Sequence, residues 1–279
     1  MKIPKAELKK QRDIYNKILT GTTLTEEFID HVYEEFNPAI IDNLTEGGVY
    51  FTPYRLAQDL AVFSPRRGHI VDMCAGIGML SYRLKDMDSY DKKIKSITCI
   101  EYNPKFVEIG KKLVTSDRIK INWICANAYD KSLWDDLVKD LPDQRFDEFV
   151  SNPPFGVDQV KTIDSSWLNY KGSRDLMALE ICLRYSKNGS FIVPTSSAPF
   201  SYSGRPYYED KVDRWSQKFK KFVKENSDKH FTLTCDGIDT SIYNNEWKNL
   251  PGGIGCEVVD VSIYPWSMNL SEDSITNKI

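Results

Sequence analysis

The sequence predicts an α/β protein with a doubly wound, mostly parallel sheet and an N-terminal helical extension. Residues 69–80 read as a strand, a tight glycine turn and the start of a helix. Residues 94–101 read as a second strand, and an amphipathic helical segment follows it. A third apolar run, within residues 146–151, ends in Asn-Pro-Pro-Phe, where two successive prolines cannot continue a central strand. Strands that alternate with helices in this way favour a parallel sheet.

Composition limits the classes of function. The chain has 279 residues, of which 41% are hydrophobic, enough for the core of one large domain. Its net charge of −3 argues against non-specific coating of nucleic acid and allows a local basic face. Six widely spaced cysteines and three histidines indicate neither a zinc site nor a secreted disulfide framework. Without a signal-peptide core or a bilayer-length apolar run, we predict a soluble, cytoplasmic protein.

The predicted organisation has three parts. Helical patterning at 5–19 and 24–36 assigns residues 1–44 to a helical brace. Residues 45–266 form the main domain, and the polar tail 267–279 is predicted to be disordered. At the start of the main domain, Thr52 is the expected N-cap of a helix, with Pro53 as its first residue.

Polar side chains stand at the ends of three successive predicted strands. Asp72, Glu101 and Asn127 each follow an apolar run. The carboxyl ends of parallel strands share one edge of a sheet, where α/β proteins bind ligands. Gly76 and Gly78 let the backbone approach a ligand closely, although the dinucleotide fingerprint G-x-G-x-x-G is absent. Each acid alone reads as a solvated loop charge, whereas together with the glycine turn they favour a site in which Glu101 binds a ribose diol.

The Asn-Pro-Pro-Phe segment, residues 152–155, suits a flat molecule that carries an amino group. The prolines hold the chain extended as it leaves the sheet, so that the carbonyls of Asn152 and Pro153 lack ladder partners. A planar base can stack on Phe155 while its NH₂ group donates hydrogen bonds to the Asn152 side-chain oxygen and to a backbone carbonyl. The alternative is an ordinary proline-stiffened turn.

These motifs resemble those of a known family. Residues 72–78 resemble the S-adenosylmethionine-binding loop of class I methyltransferases, and Glu101 resembles their ribose-binding acid. Residues 152–155 are similar to the catalytic motif of amino-group methyltransferases. Residues 48–53 resemble the cofactor-covering motif of N6-adenine DNA methyltransferases in which that motif precedes the glycine loop, an order also found in type I modification subunits. The resemblance covers roughly residues 45–200.

The resemblance implies a Rossmann-like methyltransferase that uses S-adenosyl-L-methionine to methylate the N6 amino group of adenine in DNA, as in restriction-modification. The target adenine would be flipped out or single-stranded. The implied catalytic residues are Asn152, Pro153, Pro154 and Phe155, with no metal. The implied cofactor-binding residues are Tyr50, Thr52, Asp72, Cys74, Ala75, Gly76, Gly78, Glu101, Tyr102, Asn127, Ala128 and Asn152.

The sequence departs from the family pattern in two places, one that concerns the cofactor and one that concerns DNA recognition. Ala126-Asn127 stands where Gly-Asp is usual, so an amide would have to contact the cofactor's adenine. A separate target-recognition domain of the usual size is not evident, which argues against stringent sequence specificity unless a specificity or partner subunit supplies it. Two rival functions remain. One is methylation of RNA or of a protein glutamine, and the other is non-catalytic nucleic-acid binding.

The second half of the chain completes such a fold. The sequence predicts a helix at 175–183, a turn at 187–189, a fifth strand at 190–194, and an antiparallel pair of strands at 231–238 and 256–264.

Residues 201–230 are predicted to be an insert in which basic and aromatic residues alternate, as on a surface that follows a phosphate backbone. Its candidate phosphate contacts are Lys218, Lys220, Lys221 and Lys224. Acidic residues lie among them, so an ordinary solvated helix is the equal alternative. The loop 244–249 is a second candidate for contact with DNA.

Overall fold

The described residues form nine strands, most of which follow the apolar runs of the sequence. They are seen in a computed structural model that describes residues 4–37, 50–155, 165–210, 214–248 and 252–264. The strands are β1 (Gly68–Met73), β2 (Ile94–Glu101), β3 (Lys120–Cys125), β4 (Glu148–Ser151), β5 (Asn188–Pro194), β6 (Phe200–Ser201), β7 (Glu209–Asp210), β8 (Phe231–Cys235) and β9 (Cys256–Ile263). The predicted tail 267–279 and the first two residues of the motif at 48–53 lie outside the described residues.

The main sheet has seven strands in the order β3-β2-β1-β4-β5-β9-β8. The first five are parallel, and β9 runs antiparallel to both of its neighbours, β5 and β8. Strands β6 and β7 form a separate two-stranded hairpin. The doubly wound, mostly parallel sheet that the sequence predicts is therefore confirmed, including its final antiparallel pair.

Helices cover both faces of this sheet. They are α1 (Lys5–Thr20), α2 (Glu26–Glu35), α3 (Tyr54–Phe63), α4 (Met79–Asp91), α5 (Pro104–Leu113), α6 (Lys131–Val138), α7 (Arg174–Tyr185) and α8 (Gln217–Glu225). Consecutive residues of one strand face opposite layers. In β1, Ile70 packs with α1–α5 and Val71 with α6–α8, and both are fully buried. Within the described ranges, no helix is long and apolar enough to cross a membrane.

Three local predictions are corrected. Helix α3 begins at Tyr54 with Pro53 at the cap position, so Thr52 is not its N-cap. Strand β5 begins at Asn188, inside the turn predicted at 187–189, because Asn188 and Gly189 already pair with β9. Part of the segment 201–230 belongs to the core, since α8 buries Phe219 and Phe222 completely against the layer formed with α6 and α7.

Helix α2 supports the glycine turn, defined here as residues 74–78. The buried Tyr33 hydroxyl lies within hydrogen-bond distance of two carbonyls of this turn, at 3.1 Å from that of Ile77 and 3.3 Å from that of Gly78. At the end of α2, the Lys248 ammonium donates to the carbonyls of Tyr33, at 3.0 Å, and Phe36, at 2.7 Å. Burial lowers the pKa of Lys248 to about 8. The N-terminal helices and a loop late in the chain thus hold the turn from one side.

Gly78 is needed for packing as well as for backbone conformation. Its φ of +88° lies in the left-handed region. A Cβ atom at this position would stand 2.5 Å from Cγ2 of Val114 and 3.0 Å from Cζ2 of Trp123. Helix α4 can begin close to β3 and the end of α5 only because residue 78 has no side chain.

Replacing Gly78 by alanine should therefore destabilise the protein more than replacing Gly237, which has a similar φ of +79° and no atom within 4 Å of its would-be Cβ. We expect about 1–2 kcal/mol of lost stability for Gly237→Ala from the left-handed backbone alone. Gly78→Ala should lose about 1–3 kcal/mol more through overpacking. Urea denaturation of both variants measures the difference, and equal losses would show that Trp123 and Val114 impose no constraint.

Candidate functional site

The carboxyl ends of β1, β2 and β4 bring the predicted site residues to one edge of the sheet. In the observed register, Asp72 lies opposite both Cys99 and Val150, and Met73 opposite Ser151. The glycine turn, Tyr102 and Asn152 leave the sheet immediately after these positions. Segments widely separated in the sequence therefore meet at this edge.

The Glu101 carboxylate is fixed against the glycine turn. One of its oxygens accepts a hydrogen bond from the Gly76 amide at 2.9 Å, and the other accepts from the Asn103 amide at 2.8 Å. Burial raises the pKa of Glu101, and these backbone donors act in the opposite direction. Each oxygen retains a further acceptor site, so the oriented carboxylate can bind two hydroxyl groups. Tyr102, beside it, is 76% exposed.

Asp72 is buried beneath the glycine turn. Its Oδ2 accepts from the Ser81 amide at 3.2 Å and from the Ser81 hydroxyl at 2.6 Å, whereas Oδ1 is buried without a hydrogen-bond partner. Burial raises the pKa of Asp72 to about 7, and the negative charge of Glu101 adds to this effect. Among the described residues, no lysine or arginine forms an ion pair with either acid. The two acids repel each other when both are ionised, and a positively charged ligand would offset that repulsion.

The glycine turn itself contains a strained residue. Cys74 has a φ of +61°, in the left-handed region, and burial raises the pKa of its thiol. That thiol is therefore unsuited to nucleophilic chemistry. The Ala75 amide donates to the Ile100 carbonyl at 3.0 Å, which ties the turn to the end of β2. A Cβ on Gly76, whose φ is +57°, would lie 3.2 Å from the Phe51 ring.

The Asn152 side chain is held by the aromatic loop, defined here as residues 50–53. Its Nδ2 donates to the Tyr50 carbonyl at 3.3 Å and to the Thr52 hydroxyl at 2.9 Å. Phe51, between them, packs edge-on against Phe106 with ring centroids 5.3 Å apart. Thr52, expected to cap α3, instead contacts the Asn-Pro-Pro-Phe segment, because the chain turns toward that segment before α3 begins.

These contacts determine which way the amide points. A backbone carbonyl only accepts hydrogen bonds, so the group that faces Tyr50 must be the NH₂ group of Asn152. The Asn152 Oδ1 therefore points away from the aromatic loop, and none of the described residues donates a hydrogen bond to it. The site presents one oriented amide oxygen as an acceptor.

The rest of the Asn-Pro-Pro-Phe segment is partly anchored in the core. Pro153 is buried, and the half-buried Phe155 ring packs against the layer that contains α3 and α4. Residues 156–164, which follow, are outside the described part of the chain. The segment thus brings an acceptor and an aromatic ring to the same edge as Glu101.

Two predicted site residues, Asn127 and Ala128, follow the end of β3, and their hydrogen-bonding groups are partly used within the domain. The Asn127 Oδ1 accepts from the Tyr129 amide at 3.1 Å and so stabilises its own turn. The Ala128 carbonyl accepts from the buried Trp134 indole at 2.8 Å. Contact between Asn127 and a ligand remains a prediction, for which the Asn127 Nδ2 and the neighbouring backbone are the available groups.

Two residues of the site were not predicted from the sequence. Ser81 binds Asp72 from the first turn of α4, and Tyr33 supports the glycine turn from α2. Ser81 could have been identified from its position in the first turn of the helix that follows the glycine turn. There its amide and hydroxyl both bind Asp72 near the end of β1. No local pattern marks Tyr33, because its partner lies 44 residues away.

The four lysines predicted to bind phosphate do not form one free surface. The Lys218 ammonium lies 3.6 Å from the Asp175 carboxylate, and Lys221 donates to the Lys171 carbonyl at 3.0 Å. Lys220 and Lys224 are exposed one turn apart on α8. Half of the predicted set is therefore engaged within the domain.

The buried Asp72 should make stability depend on pH. Because its pKa is about 7 in the folded protein and near 3.8 ordinarily, the native state holds a proton between about pH 4 and 7 that the unfolded state releases. Stability should fall as pH rises through this window. Asp72→Asn removes this contribution, so its slope of stability against pH should be more positive than that of the wild type by up to about 1.4 kcal/mol per pH unit. Urea denaturation across this range tests it, and identical slopes for both proteins would contradict a raised pKa.

Comparison with known proteins identifies similarity over the part of the chain that contains most of this site. Residues 55–172 match the family model described as "Methyltransferase small domain". That range includes the glycine turn, Glu101 and residues 152–155. No curated protein sequence matches the chain significantly.

Several solved structures are similar to the chain, the first of them at the level of the fold. A Listeria monocytogenes protein described as a class I S-adenosylmethionine-dependent methyltransferase is 12% identical, with a TM-score of 0.50 over 96% of this chain and 77% of its own. A type I restriction-modification methyltransferase subunit from Streptococcus thermophilus is 14% identical, with a TM-score of 0.49 over 89% of this chain and 51% of its own. A Pyrococcus horikoshii protein described as an RNA methyltransferase is 17% identical, with a TM-score of 0.41 over 90% of this chain and 96% of its own.

The strand order, the helices on both faces and the match over residues 55–172 lead to one conclusion. The chain has the Rossmann-like fold of class I methyltransferases, with additional helices at its N-terminus.

Proposed function

We propose that this protein is an S-adenosylmethionine-dependent methyltransferase that modifies the N6 amino group of adenine in DNA. The observation that carries the proposal is the Asn152 amide, whose NH₂ group is engaged by Tyr50 and Thr52 so that Oδ1 faces the site as an acceptor. Membership of a restriction-modification system, a specificity or partner subunit and a cytoplasmic location belong to the same proposal.

The residues at the sheet edge fit S-adenosylmethionine. When bound, this cofactor supplies an electrophilic methyl group on a positively charged sulfur. Glu101, already fixed by two backbone amides, would accept hydrogen bonds from the ribose hydroxyls. Asp72, whose Oδ1 has no partner, lies beneath the glycine turn, where a cationic ligand would offset its repulsion with Glu101 and favour its ionised form. Tyr102 and Asn127 flank the expected position of the adenine.

Asn152 and Pro153 act on the target amino group. The lone pair of an aromatic amine is delocalised into its ring, which makes the nitrogen a poor nucleophile. Hydrogen bonds from its two N–H groups to the Asn152 Oδ1 and the Pro153 carbonyl favour a more tetrahedral nitrogen with a localised lone pair. Alignment of that nitrogen with the methyl group contributes up to about 7–11 kcal/mol by orientation alone. The mechanism requires no catalytic carboxylate.

The target base must leave its stack to reach this site. Phe155 is half-buried and three residues after Asn152, so we expect its ring to replace one stacking partner, and Tyr202 is a candidate for the other. In duplex DNA the base would be flipped out, whereas in a single strand it would enter directly.

A second candidate function follows from the same observation. A glutamine side-chain amide also carries a planar NH₂ group, and RNA carries the same adenine, so the Asn152 geometry accommodates either one. The non-catalytic alternative is disfavoured because the acceptor at Asn152 is oriented and the Pro-Pro exit is intact.

Removing the Glu101 carboxylate should weaken cofactor binding. We expect Glu101→Ala to lose about 1–3 kcal/mol of binding free energy, the range for hydrogen bonds to a charged group. Glu108→Ala, on the exposed face of α5, is the matched control and should bind as the wild type does. Titration calorimetry with S-adenosylmethionine measures both. Absence of binding by the wild type at millimolar cofactor would refute the proposed function.

Removing the Asn152 amide should abolish methyl transfer and leave cofactor affinity nearly unchanged. Thr52→Val removes one of the two acceptors for Nδ2, so it should reduce turnover less than Asn152→Ala does. Transfer of a tritiated methyl group to DNA, to RNA of the same sequence and to a glutamine-containing peptide identifies the substrate class. Substantial turnover by Asn152→Ala would contradict the role assigned to this residue, and labelling of RNA or the peptide but not DNA would favour the second candidate.

A further inference from the structure

A cavity of about 290 Å³ lies beyond the carboxyl end of β5. It is called the arginine cavity here, and its lining is rich in hydroxyl and guanidinium groups. The lining residues are Thr195, Ser196, Ala198, Ser201, Arg205, Glu209, Arg214 and Ser216. None of them belongs to the glycine turn, the aromatic loop or the Asn-Pro-Pro-Phe segment.

The arginine cavity lies at the same edge of the sheet as Asn152. Strand β5 is parallel to β4, and Phe191 pairs with Ser151, the last residue of β4. Strand β5 continues for three residues past Phe191 to Pro194, and the cavity lining begins with the next residue. This extension amounts to about 10 Å along the strand. The cavity is therefore placed beside the candidate site, farther out from the sheet.

Two arginines share one carboxylate in this cavity. The Arg205 Nη1 donates to Glu209 Oε2 at 2.7 Å, and the Arg214 guanidinium pairs with Glu209 Oε1. The Arg205 and Arg214 side chains are 50% and 71% exposed, whereas that of Glu209 is 20% exposed. Each guanidinium has five N–H donors, and Glu209 neutralises only one of the two charges. The triad of Arg205, Glu209 and Arg214 therefore has a net positive charge, and its guanidinium groups have N–H donors that Glu209 does not occupy.

The hairpin that carries Arg205 and Glu209 is fixed to the domain. The Gly204 amide donates to Asp239 Oδ1 at 2.9 Å, and the Ser203 hydroxyl donates to Glu257 Oε2 at 2.8 Å. Between Arg205 and Glu209 stand two aromatic side chains, Tyr207 and Tyr208, with exposed fractions of 68% and 51%. Exposed rings beside paired guanidinium groups provide both parts of a nucleic-acid contact, a phosphate clamp and a stacking surface.

We propose that the arginine cavity binds a backbone phosphate of the nucleic-acid substrate and that Tyr207 stacks on a neighbouring base. This inference rests on the proposed function and deepens it, because such a contact selects a nucleic acid over a protein glutamine. The bound phosphate positions the strand so that a base enters the edge at Asn152. Arg205 and Arg214 take the role that the sequence suggested for the lysines of α8.

The triad has a competing explanation, in which its ion pairs only tie β7 to the segment before α8. The two explanations predict opposite changes in nucleic-acid affinity for Glu209→Gln. This substitution breaks both ion pairs, as replacing the arginines does. If the ion pairs are only structural, it should weaken binding as replacement of the arginines does. If the cavity binds phosphate, however, Glu209→Gln removes a competing anion and leaves both guanidinium groups available, so binding should be unchanged or stronger.

The test compares Arg205→Ala/Arg214→Ala, Glu209→Gln and the control Arg12→Ala, which alters an exposed arginine on α1. Fluorescence anisotropy with duplex DNA, single-stranded DNA and single-stranded RNA oligonucleotides is measured over a range of salt concentrations. The double arginine variant should bind roughly ten- to a hundredfold more weakly. Its dependence of log K on log salt should be shallower by about 0.9 for duplex DNA or about 0.7 for single strands, the value for one lost phosphate contact. Arg12→Ala should match the wild type.

Binding of S-adenosylhomocysteine by calorimetry is the second readout and should be the same in all four proteins. An unchanged salt slope in the double arginine variant, or equal weakening by Glu209→Gln, would overturn the phosphate site. Lack of oligonucleotide binding by the wild type at low salt would also overturn it. A wild type that binds oligonucleotides through these arginines but not the cofactor homologue would support the phosphate site while refuting the proposed methyltransferase. If the double variant does not fold, Arg205→Gln and Arg214→Gln are measured singly.

Discussion

The parallel register of β1, β2 and β4 is the constraint on which the candidate site depends. It places the residues after Met73, Glu101 and Ser151 at one edge, although they are far apart in the sequence. Helices on both faces keep these strands buried, which makes a shift of register costly because it would move apolar side chains out of their layers. The site is thus a consequence of the sheet, and its polar groups lie where the chain leaves the apolar core.

Support for this edge comes from outside the sheet. Tyr33 holds the glycine turn from α2, Ser81 holds Asp72 from α4, and the aromatic loop holds Asn152. Each of these contacts fixes a donor or acceptor before any ligand is bound. Such preorganisation reduces the ordering that binding would otherwise require. Asp72, whose second oxygen has no partner, is held in the core by the amide and hydroxyl of Ser81 at the start of α4.

Much of the fold could be predicted from the sequence because its signals are local. The apolar runs that lead to Asp72, Glu101 and Asn152 predict strands from their own residues, and the glycine turn and the two prolines mark where two of them end. The role of Thr52 could not be predicted from the sequence. Its hydroxyl could either cap α3 or bind Asn152, and only the three-dimensional course of the chain decides which of the two occurs. The segment 201–230 was misjudged for a similar reason. Its charges are visible in the sequence, whereas the burial of Phe219 and Phe222 depends on α7 and β8.

The contact between Lys248 and the end of α2 has a consequence for how the chain folds. It joins residues separated by 215 positions, and through Tyr33 it supports the turn that precedes α4. Such a contact closes a very long loop, so the entropy of closure must be overcome before the contact contributes stability. During synthesis from the N-terminus, β1–β5 can pair long before Lys248 has been made. The glycine turn therefore acquires its final support at the end of folding, which makes the maturation of this edge a late event.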